Sequence, residues 1–164
     1  MPWLLALSYW IHLLATVVWL GGITLITLFA WPALQRGTLA TNQWWAIQRK
    51  FALWANVSMI MLLITGFYQM TTDSNYSGFL NVDNQWAVAI LLKHIAYLAM
   101  IAITVYMQAI LYPAMSRAAL LAEQKPSIAA TESDRIQKRE IRLLRLNLIC
   151  AAIVLLFTAL ATAL

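Results

Sequence analysis

His12 and His94 are the only imidazoles in the chain, and both fall within long apolar stretches. An ionisable side chain is costly in hydrocarbon, so its presence there points by default to function. A neutral imidazole can give one ring nitrogen to a metal while the other keeps its proton. The positions strengthen the reading: Leu4 precedes His12 by as many residues as Trp86 precedes His94. At 1.5 Å per residue each ring sits roughly 12 Å into its helix. Two helices running the same way then present imidazoles at one depth. That arrangement suits axial ligation of one b-type haem (haem b), or a copper ion, which also accepts imidazole. A structural histidine bonded across helices is the plainer alternative for each residue alone.

Neighbouring residues could serve the same site. Lys93 adjoins His94 and could pair with a haem propionate or an anionic substrate, or simply extend to the membrane surface. Trp19 lies two turns from His12 on one helix face, and Gly21-Gly22 would admit a flat cofactor or another backbone. Tyr97, Thr104, Gln108 and Tyr112 form a polar stripe whose expected role is bonding between helices. The candidate cofactor-binding set is thus His12, His94, Lys93, Trp19, Gly22 and Tyr97, with His12 and His94 as the metal ligands. The other nitrogen of each ring is expected to donate to a carbonyl one turn earlier, near Ser8 or Ile90. Met59, Met61, Met70, Met100 and Met107 would suit a soft-metal ladder for Cu(I), but they have no i,i+4 pairing among themselves and are read as packing or lipid-facing residues. No Ser/His/Asp set, phosphate-binding glycine loop or paired carboxylates mark a catalytic centre.

The elements that must position these residues follow from composition. The chain has 164 residues, 63% hydrophobic and 10% charged, with a mean hydropathy of +0.74. A soluble domain averages about 45–50% apolar and about 25% charged. A chain of this size cannot bury so much apolar surface in water, which excludes a soluble enzyme or a nucleic-acid module. The single cysteine, Cys150, excludes an internal disulfide. Four apolar stretches, about 4–30, 51–70, 86–112 and 146–164, each suffice to cross a bilayer.

The net charge of +5 is unevenly placed. Arg36, Arg49 and Lys50 sit in the first connection, and seven basic residues from Arg117 to Arg145 in the third. The middle connection, Thr71 to Gln85, carries Asp73 and Asp83 and no basic residue. The positive-inside rule then puts the first and third connections in the cytoplasm and both termini outside. Trp3, Trp10, Trp31, Trp44, Trp45 and Trp86 fall near span ends, as an interfacial aromatic belt would. Within the third connection, about 114–145, a turn is expected at Glu123 to Ser127. A juxtamembrane helix is expected from Ser133, with an Asp134–Lys138 pair.

The first and third spans close on related sequences, Trp31-Pro32-Ala33-Leu34-Gln35-Arg36 and Tyr112-Pro113-Ala114-Met115-Ser116-Arg117. Asn56 and Asn147 stand at similar early positions in the second and fourth. The expected fold is all-α: one integral membrane four-helix bundle over 1–164. Its two parallel hairpins would be related by a pseudo-twofold axis along the membrane normal.

His12 with Trp19-Leu20-Gly21-Gly22, Thr65-Gly66, Leu91-Leu92-Lys93 and Pro113 together resemble the membrane domain of the copper resistance protein D family. The HemJ-type membrane proteins are a more distant likeness. The resemblance runs from about residue 5 to 115, and more loosely to the C-terminus. It implies a four-helix membrane module tied to copper uptake or tolerance or, in the HemJ-type proteins, to haem binding and protoporphyrinogen oxidation. His12 and Lys93 carry over most directly.

The first functional expectation is electron transfer through a haem b held by His12 and His94 near the outer face. The alternatives are copper transport or tolerance through the same histidines, and an accessory subunit of a larger complex. The expected setting is multi-pass in a bacterial inner (cytoplasmic) membrane, in direct contact with the lipid bilayer and without nucleic acid. The partner classes left open are a homodimer, a larger membrane complex, and an extracytoplasmic redox or copper protein.

Overall fold

The structure, a computed structural model, describes the chain except residues 1, 77, 79–81 and 122–124, and the side chains at 2, 41 and 42. No strand occurs among the described residues. Four long helices carry the chain back and forth. The first, α1, comprises Pro2–Leu25, a π-helical turn at Ile26–Ala30, and Trp31–Gln35. Helix α2 is Thr41–Thr71. Helix α3 comprises Gln85–Tyr106, a π-helical turn at Met107–Leu111, and Tyr112–Leu121. Helix α4 is Pro126–Ala163. All four are long and apolar enough to cross a membrane. In hydrocarbon the backbone has no water to bond, so helices satisfy its polar groups internally. The 38 residues of α4 span about 57 Å, well beyond a hydrocarbon core of about 30 Å. Its charged first half therefore projects from the apolar part of the bundle.

Local chemistry sets most helix ends. Gly37, at φ 71°, follows α1 in the left-handed conformation that glycine adopts without penalty. Its N–H bonds Leu34 O, and the Thr38 N–H bonds Ala33 O, which closes the last turn. The Asn84 side chain caps α3 by accepting the Ala87 N–H at 2.7 Å. Helix α4 begins with Pro126 in its first turn, not at Ser133, because proline there lacks only an N–H that would have no partner anyway. The Asp134–Lys138 pair forms at 2.7 Å on the exposed face. The Glu123 end of the expected turn lies outside the described residues.

Both helices run through their prolines: α1 ends three residues past Pro32, at Gln35 within its motif, while α3 continues beyond its motif to Leu121. Each motif follows a π-helical turn, in which Trp31 N–H bonds Ile26 O and Tyr112 N–H bonds Met107 O. Proline has no N–H and its ring crowds the carbonyl one turn back, so widening that turn lets the helix pass through. The sequence repeat thus reaches the backbone, with one irregularity at matching places in α1 and α3.

Helix α1 packs along α2, α3 along α4, and α1 also touches α4, giving a bundle of two antiparallel hairpins. One end holds both termini and the 71–85 connection. The other, basic end holds the connections after α1 and α3. Each member of the α3 polar stripe bonds a neighbouring helix: Tyr97 OH donates to Met59 O, and Asn147 donates to Thr104 Oγ1 at 3.2 Å. The Asn56 and Gln108 amides exchange two bonds, and Tyr112 OH donates to Gln48. Not all the tryptophans form a belt. Trp3 and Trp10 are exposed, but Trp31, Trp44 and Trp86 are buried, with Trp31 edge-on to Trp44 at 5.8 Å. Packing between helices claimed rings that position alone assigned to the interface.

Gly22 faces α2, where a Cβ would overlap the Phe51 ring. Gly22→Ala should lower the thermal stability of the purified protein by about 1–3 kcal/mol. The loss should shrink when Phe51→Leu is combined with it, read by melting of the single and double variants.

Candidate functional site

At the terminal end the helices part around a cavity of about 520 Å³. His12 and His94 both line it, as do Lys93, Trp19 and Tyr97. Five of the six expected residues therefore meet there. Gly22 does not join them, since its open face is taken by Phe51.

The His94 imidazole is held within its own helix, with Nδ1 2.7 Å from Ile90 O, where a carbonyl was expected. A carbonyl only accepts, so Nδ1 carries the proton and Nε2 keeps its lone pair. His12 is held differently. Its Nδ1 lies 2.7 Å from Thr65 Oγ1 on α2 rather than from a carbonyl near Ser8. The Thr65 hydroxyl already donates to Met61 O at 2.6 Å, so toward His12 it can only accept. The same tautomer follows, with Nδ1 protonated and Nε2 available.

Around His12 the α1–α2 seam is pinned further. Gln69 donates to Ser8 Oγ at 3.3 Å, and Ser8 Oγ lies 3.5 Å from Thr65 O. Gly66 brings backbone against the ring, since a Cβ there would stand 3.5 Å from His12 Cε1. Thr65-Gly66 is thus the pair that receives the imidazole. Both rings present the nitrogen that a metal needs.

Among the described residues no group of three His, Cys, Asp or Glu could hold a metal ion. A metal here would need other donors beside the two imidazoles. Met70 and Met100 line the same cavity, and their thioethers are soft ligands. The remaining wall is largely aliphatic and aromatic, including Leu13, Leu63, Ile90 and Val154.

A second group of polar residues, not foreseen from the sequence, lies toward the basic end. Glu140 is 0% exposed although it stands in the charged half of α4, before the apolar stretch. Its Oε1 accepts from Gln48 Nε2 at 2.9 Å, and Oε2 has no hydrogen-bond partner. Trp44 is near, but its indole N–H also lacks a partner of good geometry. Burial pushes the Glu140 carboxyl up to about 7, an effect that the Trp44 indole partly offsets. The signal available in the sequence was spacing: Ile136, Glu140 and Leu144 recur every four residues on one helix face, all buried. Between this group and the large cavity lies a small one of about 20 Å³, lined by Thr104, Gln108, Asn147, Gln48, Met107 and Trp19 among others.

The family model for copper resistance protein D matches residues 45–161, more than half of the chain. The chain belongs to the copper resistance protein D family. The match takes in Thr65-Gly66, Lys93 and His94, while His12 and Gly21-Gly22 precede it. Membership and four apolar helices make this a multi-pass membrane protein with a role in copper resistance. No curated protein and no solved structure matches the chain.

Glu140 also makes stability depend on pH. Its folded pKa of about 7 stands above the ordinary 4.5, so the folded state holds the proton more tightly than the unfolded chain. Stability should be highest at or below the ordinary value, fall as pH rises from about 4.5 to about 7, and level off above. Glu140→Gln should flatten that slope and raise the melting temperature at neutral and higher pH, as a thermal-shift series across pH would record.

Proposed function

We propose that His12 and His94 form a copper site at the extracytoplasmic end of the bundle, and that the protein takes up copper there as its cargo. The observation that carries this reading is the pair of imidazoles lining one cavity, each locked with Nε2 free. Two neutral nitrogens and nearby thioethers make a donor set that suits copper, and Cu(I) best. Neutral ligands leave the ion its charge, and Lys93, which lines the same cavity, would hold an accompanying anion. The orientation rests on the basic residues flanking the other end, which would face the cytoplasm of a bacterial inner membrane.

Family membership favours copper over the haem b that the sequence first suggested. A second reading nonetheless draws support from the cavity volume of about 520 Å³, far more than a bare ion occupies and within the range of organic-ligand sites. In that reading His12 and His94 would be the axial ligands of haem b and Lys93 would meet a propionate. The haem would supply a one-electron carrier, and this chain's part would be to hold and orient it. Tyr97, whose hydroxyl is committed to Met59 O, shapes the wall in either case.

The purified protein should bind Cu(I) in competition with a chromogenic chelator, and His12→Ala or His94→Ala should abolish that binding. Thr65→Ala should weaken it by about 10–100-fold, since the ring would lose the partner that orients it, while Thr65→Ser should preserve it. Absence of Cu(I) binding, together with a Soret band that either histidine variant removes, would overturn the copper reading in favour of haem.

A further inference from the structure

Lys93 lines the same cavity as the two histidines, and its charge is felt at the His12 ring on α1. It stands in the apolar part of α3, where a cation is costly without a partner. Among the described residues the one ion pair is Lys138–Asp134, in the charged half of α4, so Lys93 has no carboxylate beside it. Asp73 is the one acidic residue on the cavity wall among those described. It belongs to the 71–85 connection, where it accepts the Asn75 N–H at 2.9 Å instead of meeting Lys93. Copper would deepen the imbalance. His12, His94, Met70 and Met100, the donors on this wall, are all uncharged. Cu(I) held by them would be a second positive charge beside Lys93, and like charges repel strongly where water is scarce.

We propose that a small anion of the halide class binds together with the copper, coordinated to Cu(I) on one side and paired with Lys93 on the other. The inference rests on the copper reading above and adds a second ligand to its site. The anion gives one lone pair to Cu(I), and the Lys93 ammonium donates an N–H to another. No electron is transferred and no proton moves. One bound halide lowers the combined charge of copper and lysine from two to one, and it does so between them, where the repulsion is greatest. The class of anion follows from softness. An oxyanion such as phosphate would meet Lys93 equally well, but its hard oxygen is a poor ligand for soft Cu(I). A halide satisfies both partners and needs no further donor from the largely apolar wall.

The test measures the Cu(I) affinity of the purified full chain in non-ionic detergent, by competition with a chromogenic chelator and with ascorbate as reductant. Chloride is varied against nitrate at constant ionic strength. Protein and chelator draw on one pool of free Cu(I), so capture of free copper by chloride cancels. Wild-type affinity should rise with chloride, about tenfold for each tenfold increase until the anion site fills. Lys93→Met should show an affinity that no longer follows chloride. Lys93→Arg, whose charge is permanent, should retain the dependence. With bromide in place of chloride, X-ray absorption at the copper edge should reveal a bromine neighbour in wild type and none in Lys93→Met. Chloride-independent affinity in a wild type that binds Cu(I), or copper without a bromine neighbour, would overturn the anion site and leave the histidine site standing. Loss of Cu(I) binding in Lys93→Met and Lys93→Arg alike would make the lysine amine itself a copper ligand, and would also overturn the anion site. Failure of the wild type to bind Cu(I) at all would overturn both readings.

Discussion

Within hydrocarbon a polar side chain has no solvent to turn to, and this constraint organises the molecule from end to end. The polar stripe of α3 bonds to α2 or α4: Tyr97 to Met59, Thr104 to Asn147, Gln108 to Asn56, and Tyr112 to Gln48. On the α1–α2 seam Ser8, Gln69, Thr65 and His12 do the same. Such bonds fix which faces meet, since apolar contact between helices gains little over contact with lipid. The histidines obey the same rule through Nδ1, with Thr65 and Ile90 as partners, and each keeps a lone pair on Nε2.

The positions where the constraint is not met are informative in turn. Asn147 Oδ1 is buried without a partner beside the small cavity, and Glu140 Oε2 is buried without a partner next to it. A cavity of about 20 Å³, mainly apolar but edged by Asn147, Gln108 and Thr104, has room for one water, which would satisfy the Asn147 carbonyl. Polar groups thus recur within an otherwise apolar core between the histidine cavity and the basic end.

Much of this architecture was legible in the residues. The four spans, their alternating directions and the bonding role of the α3 stripe follow from hydropathy and helical period. The matched depth of His12 and His94 follows from counting. The repeat was visible as a pair of proline motifs, and the first does close α1 at Gln35, whereas α3 runs past the second to Leu121. Proline usually marks a helix end, and only the widened turns at Ile26–Ala30 and Met107–Leu111 let α1 and α3 continue. The buried tryptophans and Gly22 were misplaced for a common reason: the period of a helix says which residues share a face, not which neighbour that face will meet.

Sequence by itself determined that the chain forms four helices long and apolar enough to cross a membrane, and that two imidazoles stand at similar distances along α1 and α3. These follow from local quantities, namely apolar run length, charge placement and rise per residue. Tertiary structure decided that both rings border one cavity, that Thr65 rather than a carbonyl holds His12, and that Glu140, in the most charged part of the chain, is sealed from solvent. Those outcomes depend on how four rods pack against one another, and a residue's burial and hydrogen-bond partner are set by neighbours far away in the chain.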